Sequence, residues 1–262
     1  MTKREKNLAI ATALVVGIGI CLKLFGMQAF YFYKAKTTFP QGRTPEMYVI
    51  PEKLTSTNSL PPAMTFTNYG FCFSVPWNNL NWVREEEPFS VYRFSNNRSL
   101  IIEADDISSL LLGELKTEWH GKDRSRYASV FGAENIRSNY ALLSACLNAS
   151  PDSLSLFENK RTSFKKFFFL IPKSLAVNSN TGKIYTFDFN NCKGFQIGDT
   201  ASNSRISLMC FADPNTSTSF ILSSGQGDPL SQEEVNCIIK SLKKIESNPS
   251  VRQAGVTSVL EN

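Results

Sequence analysis

The sequence predicts an α+β fold, an antiparallel β-sheet covered by helices, set behind one N-terminal transmembrane helix. Three observations lead there. Residues 8–22 form an uncharged apolar run. Several later stretches alternate apolar and polar residues with period two, as half-buried strands do. Near the end, a capping signal opens a strongly amphipathic helix.

Residues 7–28 are long enough to cross a bilayer, with Lys23 extending its stem toward the nearer interface. The cluster Tyr31, Phe32, Tyr33, followed by Lys34 and Lys36, fits an interfacial belt. Residues 1–6 form a short basic tail, the layout of a signal-anchor, which leaves the tail in the cytoplasm and places the large domain outside it. Two rival readings are a cleaved signal peptide and lipidation at Cys21. Gly17-x-Gly19 would put a cleavage site inside the apolar run, and Ile20 is bulkier than the residue that normally precedes a lipidated cysteine.

Residues 29–64 carry Pro40, Pro45, Pro51, Pro61 and Pro62 among polar residues, and read as a spacer that holds the domain off the membrane. Residues 65–246 form the α+β domain, and 247–262 read as an unstructured tail. Within the domain, 71–75 alternates as a strand closed by Pro76, and 90–94 and 99–103 flank a turn at Asn96-Asn97. Leu111, Leu112, Leu115 and Trp119 give 108–120 a helical spacing, and 138–147 reads as a second short helix. Ser150-Pro151 looks like an N-cap with proline at the first helical position. It opens a segment leading to 167–171, whose apolar run fits helix or buried strand. Strands follow at 183–189, 205–211 and 217–222. Ser231 and Glu234 then form a capping box; Val235, Ile238, Ile239, Leu242 and Ile245 mark one apolar face, and Lys240, Lys243 and Lys244 suit a helix C-terminus.

Chemistry-bearing residues are sparse. His120, the one histidine, sits near a predicted helix end with no nucleophile elbow beside it, and reads as a surface residue. The acidic runs at 85–87 and 105–106 match no calcium loop and read as solvated. No catalytic, cofactor-binding or metal residues are assigned, no cofactor is expected, and the chain is not expected to be an enzyme. The alternative is a membrane-bound hydrolase using His120 or the acidic runs. The cysteines form no C-x-x-C pair; Cys192 and Cys210 are the best-placed pair for a disulfide, and buried free thiols are the competing expectation. The net charge of +5 is modest and its basic residues are dispersed, with the densest run at Lys160, Arg161, Lys165 and Lys166 reading as a solvated helix face, so a nucleic-acid role is disfavoured. The expected partners are the lipid bilayer, through the N-terminal helix, and an unidentified protein. Trp77, Trp82, Phe89 and Tyr92 are the candidate partner surface, with core packing as their other explanation.

The opening strand ending in Pro76-Trp77, and the late strand at 219–222 leading to Ser231-Gln-Glu-Glu and Ile238-Ile-Lys-Ser-Leu, resemble the PsbP-like family over residues 65–246. The resemblance implies an α/β/α sandwich, a fold whose members act mostly as binding or assembly modules. No family site residue is carried onto this sequence. Together these readings describe a single-pass, membrane-anchored protein with an extracytoplasmic, non-enzymatic binding or assembly domain.

Overall fold

Alternating burial marks the strands at 71–75, 89–94, 99–103 and most of 205–213. A computed structural model of the chain describes residues 26–56, 58–104, 132–177, 181–189, 192–214, 216–225 and 227–245. After β1 (Glu52–Lys53), β2 (Met64–Asn68) and β3 (Phe71–Val75) form a hairpin. β4 (Leu80–Glu86), β5 (Phe89–Phe94) and β6 (Ser99–Glu103) form a meander. A second meander comprises β7 (Ile184–Phe189), β8 (Cys192–Ile197), β9 (Arg205–Asp213) and β10 (Thr216–Ser223), and β11 (Lys243–Lys244) comes last. The chief helices are α1 (26–38), α2 (Asn139–Leu147), α3 (Lys160–Ala176) and α4 (Gln232–Ser241). The fold is mixed α+β.

The two meanders join through β10 and β6 into one eight-stranded sheet of order β1-β7-β8-β9-β10-β6-β5-β4. Every pair in it is antiparallel except β1 with β7. A second, small sheet has the order β11-β3-β2. One face of the large sheet presents Tyr92, Leu100, Ile102, Leu208, Phe220 and Leu222 to β2, β3 and α4. Phe73 meets Phe220 edge-on at 5.0 Å. On the other face Phe195, Ile197 and Phe211 pack with α1, α2 and α3. Burial of this many apolar side chains is the main force holding the layers together.

Several elements differ from the sequence reading for identifiable reasons. The run 167–171 is helix, inside α3, which Asn159 caps by accepting from the Thr162 N–H at 2.9 Å. Ser150-Pro151 opens only a 3-10 turn, Pro151–Ser153. The last helix stops at Ser241, and Lys243 and Lys244 instead pair with Cys72 and Phe71 as β11. The stretch read as a spacer, 29–64, lies on the domain. Ala35, Phe39 and Met47 are buried in the helical-side core, and Leu54 in the other. Asn236 of α4 donates to the carbonyls of Ser56 and Asn58. Lys173, wholly buried in α3, donates to the carbonyls of Val49 and Ala149 at 2.6 Å each. Burial pulls its amine down to about 8. The prolines block regular structure, yet the apolar residues between them still find the core.

No helix among the described residues is long and apolar enough to cross a membrane. Apart from its last three residues, the anchor segment 7–28 lies outside the described residues, as do the predicted helix 108–120 and the tail 247–262.

Gly194 in β8 sits where there is no room for a side chain. A Cβ there would stand 2.1 Å from the Met209 carbonyl oxygen and 2.6 Å from the ring of Phe187, its cross-strand partner. Gly194→Ala is expected to destabilise the fold by about 3 kcal/mol. Gly42→Ala, where nothing lies within 4 Å, is expected to change stability by less than about 0.5 kcal/mol. Denaturant midpoints of the two variants check this; equal midpoints would refute it.

Candidate functional site at the sheet edge

One edge of the large sheet is β4, and its position is set from behind by a buried ion pair. Arg98, in the β5–β6 turn, is 6% exposed. Its Nε donates to Glu234 Oε1 at 2.9 Å, and its Nη2 donates to Glu234 Oε2 at 3.3 Å. Its Nη1 donates to the Asp228 carbonyl and to Asp228 Oδ2, both at 2.8 Å. Glu234 also accepts from the Trp77 indole at 2.7 Å and from the Ser231 backbone N–H at 2.7 Å, the latter being half of the capping box of α4. Burial alone would push the Glu234 carboxyl up. The hydrogen bonds from Arg98, Ser231 and Trp77 outweigh it and hold the group below the usual carboxylate range.

On the outer side of this anchor, β4 and β5 form a hairpin with every residue of β4 exposed or half-exposed. Alternation sorts its side chains. Ser90, Tyr92 and Phe94 turn into the core, while Phe89, Val91 and Arg93 turn outward. Trp82 lies opposite Arg93 in the register, and the guanidinium sits 5.5 Å from the indole centroid. Trp82 is 44% exposed and Phe89 36%. Beside Trp82 opens a groove of about 630 Å³ whose walls include Asn81, Trp82, Arg93, Asn97, Ser99 and Ser224. Gly225 lets the β10–α4 loop approach the β5–β6 turn, since a Cβ there would lie 2.7 Å from Asn97 Cβ. A neighbouring hollow of about 340 Å³ shares Ser224 and Gly225 and continues the polar wall to the β8–β9 loop. An exposed indole, an arginine held against it, and a wall of amides and hydroxyls provide for recognition of a surface by stacking and hydrogen bonding.

Of the four residues expected at a partner surface, the structure exposes Trp82 and Phe89 and buries the other two. Trp77 is 3% exposed because its indole N–H reaches Glu234. Tyr92 is 1% exposed; its hydroxyl donates to Glu85 and accepts from Asn68 Nδ2, and burial pushes it up to about 12. Arg93, Asn81 and the groove hydroxyls were not singled out from sequence. The signal available was the Glu87-Pro88 turn, which places the two flanking strands side by side and so sets Arg93 across from Trp82.

Cys192 and Cys210 do come together on adjacent strands, as free thiols. The register pairs Cys210 with Gly194, so Cys192 is its diagonal neighbour. Diagonal Cα atoms lie about 7–8 Å apart, beyond the span a disulfide bridges without backbone movement. Burial, and then the hydrogen bond to Cys192, hold the Cys210 thiol well above its ordinary value. From the acidic runs, Glu85 accepts from Tyr92, and Glu86 pairs with Arg84 at 2.7 Å. Asp105, Asp106 and His120 lie outside the described residues.

The depressed Glu234 carboxyl carries a signed consequence. Its stabilisation is complete above the unfolded-state value near pH 4 and is lost as pH falls through the lower folded value. Glu234→Gln is expected to cost about 3 kcal/mol at neutral pH. That gap is expected to narrow as acid protonates the wild-type carboxyl. Parallel unfolding curves from pH 7 down to pH 3 check the trend, and a gap that stays constant would contradict it.

Comparison with protein-family models, with curated proteins and with solved structures finds no match for this chain, so the chemistry of the edge rests on its own geometry.

Proposed function

We propose that this chain is a single-pass, membrane-anchored protein whose domain acts outside the cytoplasm as a non-enzymatic binding or assembly module. In this reading residues 7–28 cross the bilayer, residues 1–6 stay in the cytoplasm, and the domain has a PsbP-like α/β/α arrangement. The observation that carries the binding role is the sheet edge. Trp82 and Phe89 are exposed on the outward face of one hairpin, with Val83 exposed on its other face, while most large aromatic side chains of the two meanders are buried. Aromatic residues next to arginine are the side chains on which protein interfaces concentrate their affinity. An edge strand also offers unpaired backbone groups to an added strand. The bulge between Leu80 and Trp82, together with Arg84, Glu85 and Glu86, guards that edge against indiscriminate pairing.

A photo-crosslinking residue at Trp82 or Phe89 of the full-length chain is expected to capture a discrete protein partner in intact cells. The same probe at Lys53, on the opposite edge strand, is expected to capture far less. Equal yields at the three positions would refute the assignment of the binding edge. Trp82→Ala and Phe89→Ala are expected to lower the yield from the other position while changing stability by less than about 1 kcal/mol.

A further inference from the structure

We propose that the layer formed by α1 and α3 is a docking face for a bilayer surface bearing anionic headgroups. This rests on the proposed span at 7–28. It replaces a domain held at a distance with one seated on the lipid.

Charge points first to this occupant. Helix α1 carries two Lys residues, α3 carries five Lys or Arg residues, and neither contains Asp or Glu. Lys36, Lys165 and Lys166 pair with Asp152, Glu134 and Glu158, and Lys173 is buried. Lys34, Lys160 and Arg161 have no anionic partner among the described residues. Basic side chains near an anionic leaflet are drawn to it.

Apolar exposure points the same way. Among the described residues, six of the eleven exposed large apolar side chains belong to α1, α3 or the turn before α3. They are Met27, Phe30, Tyr33, Phe157, Ile171 and Leu175, with Phe157 89% exposed. Aromatic and aliphatic side chains interspersed with Lys and Arg are the composition of a lipid interface.

The third argument is a distance. Helix α1 is already locked to the domain at Tyr31, whose ring stands 5.6 Å from Phe164 and 5.5 Å from Phe167 of α3. Tyr31 is only three residues past the end of the proposed span, about 5 Å of helix. The headgroup layer is about 5–8 Å deep on each side. A span that ends at 28 therefore brings the α1–α3 layer into the headgroups, with no length left for a spacer.

The test uses the full-length chain in vesicles of phosphatidylcholine with phosphatidylglycerol, carrying Phe157→Trp or Leu175→Trp. Brominated lipids are expected to remove at least about half of the added indole emission, as for an interfacial side chain. The charge reversals Lys34→Glu, Lys160→Glu and Arg161→Glu together, or vesicles of phosphatidylcholine alone, are expected to reduce that quenching, while the short distance from the span keeps part of it. Extraction with alkaline carbonate reports separately on the span. Unquenched indoles in a chain that resists extraction would overturn the docking face and leave the span standing. So would indoles shielded only as protein concentration rises, which would assign the face to a second copy. A chain released by carbonate removes the span. Salt-sensitive flotation with the anionic vesicles would then sustain the docking face, and failure to float would overturn it.

Discussion

The buried pairing of Arg98 with Glu234 is the constraint on which the arrangement of the molecule turns. Neither charge is stable alone in the interior, because an unpaired buried ion costs several kcal/mol. Here the carboxylate takes four hydrogen bonds, from Arg98 twice, Trp77 and Ser231. Each donor comes from a different part of the chain: the β5–β6 turn, the segment after β3, and the start of α4. One carboxylate thus fixes the angle at which the edge meander meets the helix and the small sheet. The groove beside Trp82 shares its wall with Arg98, so the same ion pair that closes the core shapes the surface in front of it.

Much of the domain was legible because the rules that build it are local. Strand β3, the β5–β6 hairpin, α2 behind its Ser138 cap and the capping box of α4 follow from alternation and capping chemistry. What the sequence hid was long-range. Ser231 and Glu234 announce a helix start, but nothing local says that Glu234 also meets Arg98 and Trp77, 136 and 157 residues away. Trp77 is core rather than partner surface for that reason. Tyr92 is core for a simpler one: Phe89 and Tyr92 are three apart on a strand, so alternation puts them on opposite faces. The β8 strand was obscured by Gly194, which only the Phe187 ring and the Met209 carbonyl explain. The prolines of 29–64 suggest a spacer, while its Ala35, Phe39, Met47 and Leu54 are the side chains that dock it.

Docking of 29–64 changes the relation between the domain and its proposed anchor. A loose tether would let the domain sample many orientations, and a docked helix gives it one. Strands β7 to β9, under the helical layer, lie at one end of the sheet and β4 at the other. From β8 to β4 there are five strand spacings, about 24 Å. In the proposed arrangement, the basic and apolar helical layer takes the lipid while the aromatic hairpin stays clear for a partner.

The most direct measurement of the central constraint is a double-mutant cycle on stability, with Arg98→Met, Glu234→Gln and the two combined. If the pair holds these parts together, each single change leaves a buried group without its partner. The double change then costs less than the sum of the singles by about 2 kcal/mol or more. Strict additivity would contradict the account, because it would mean that Arg98 and Glu234 stabilise the fold independently.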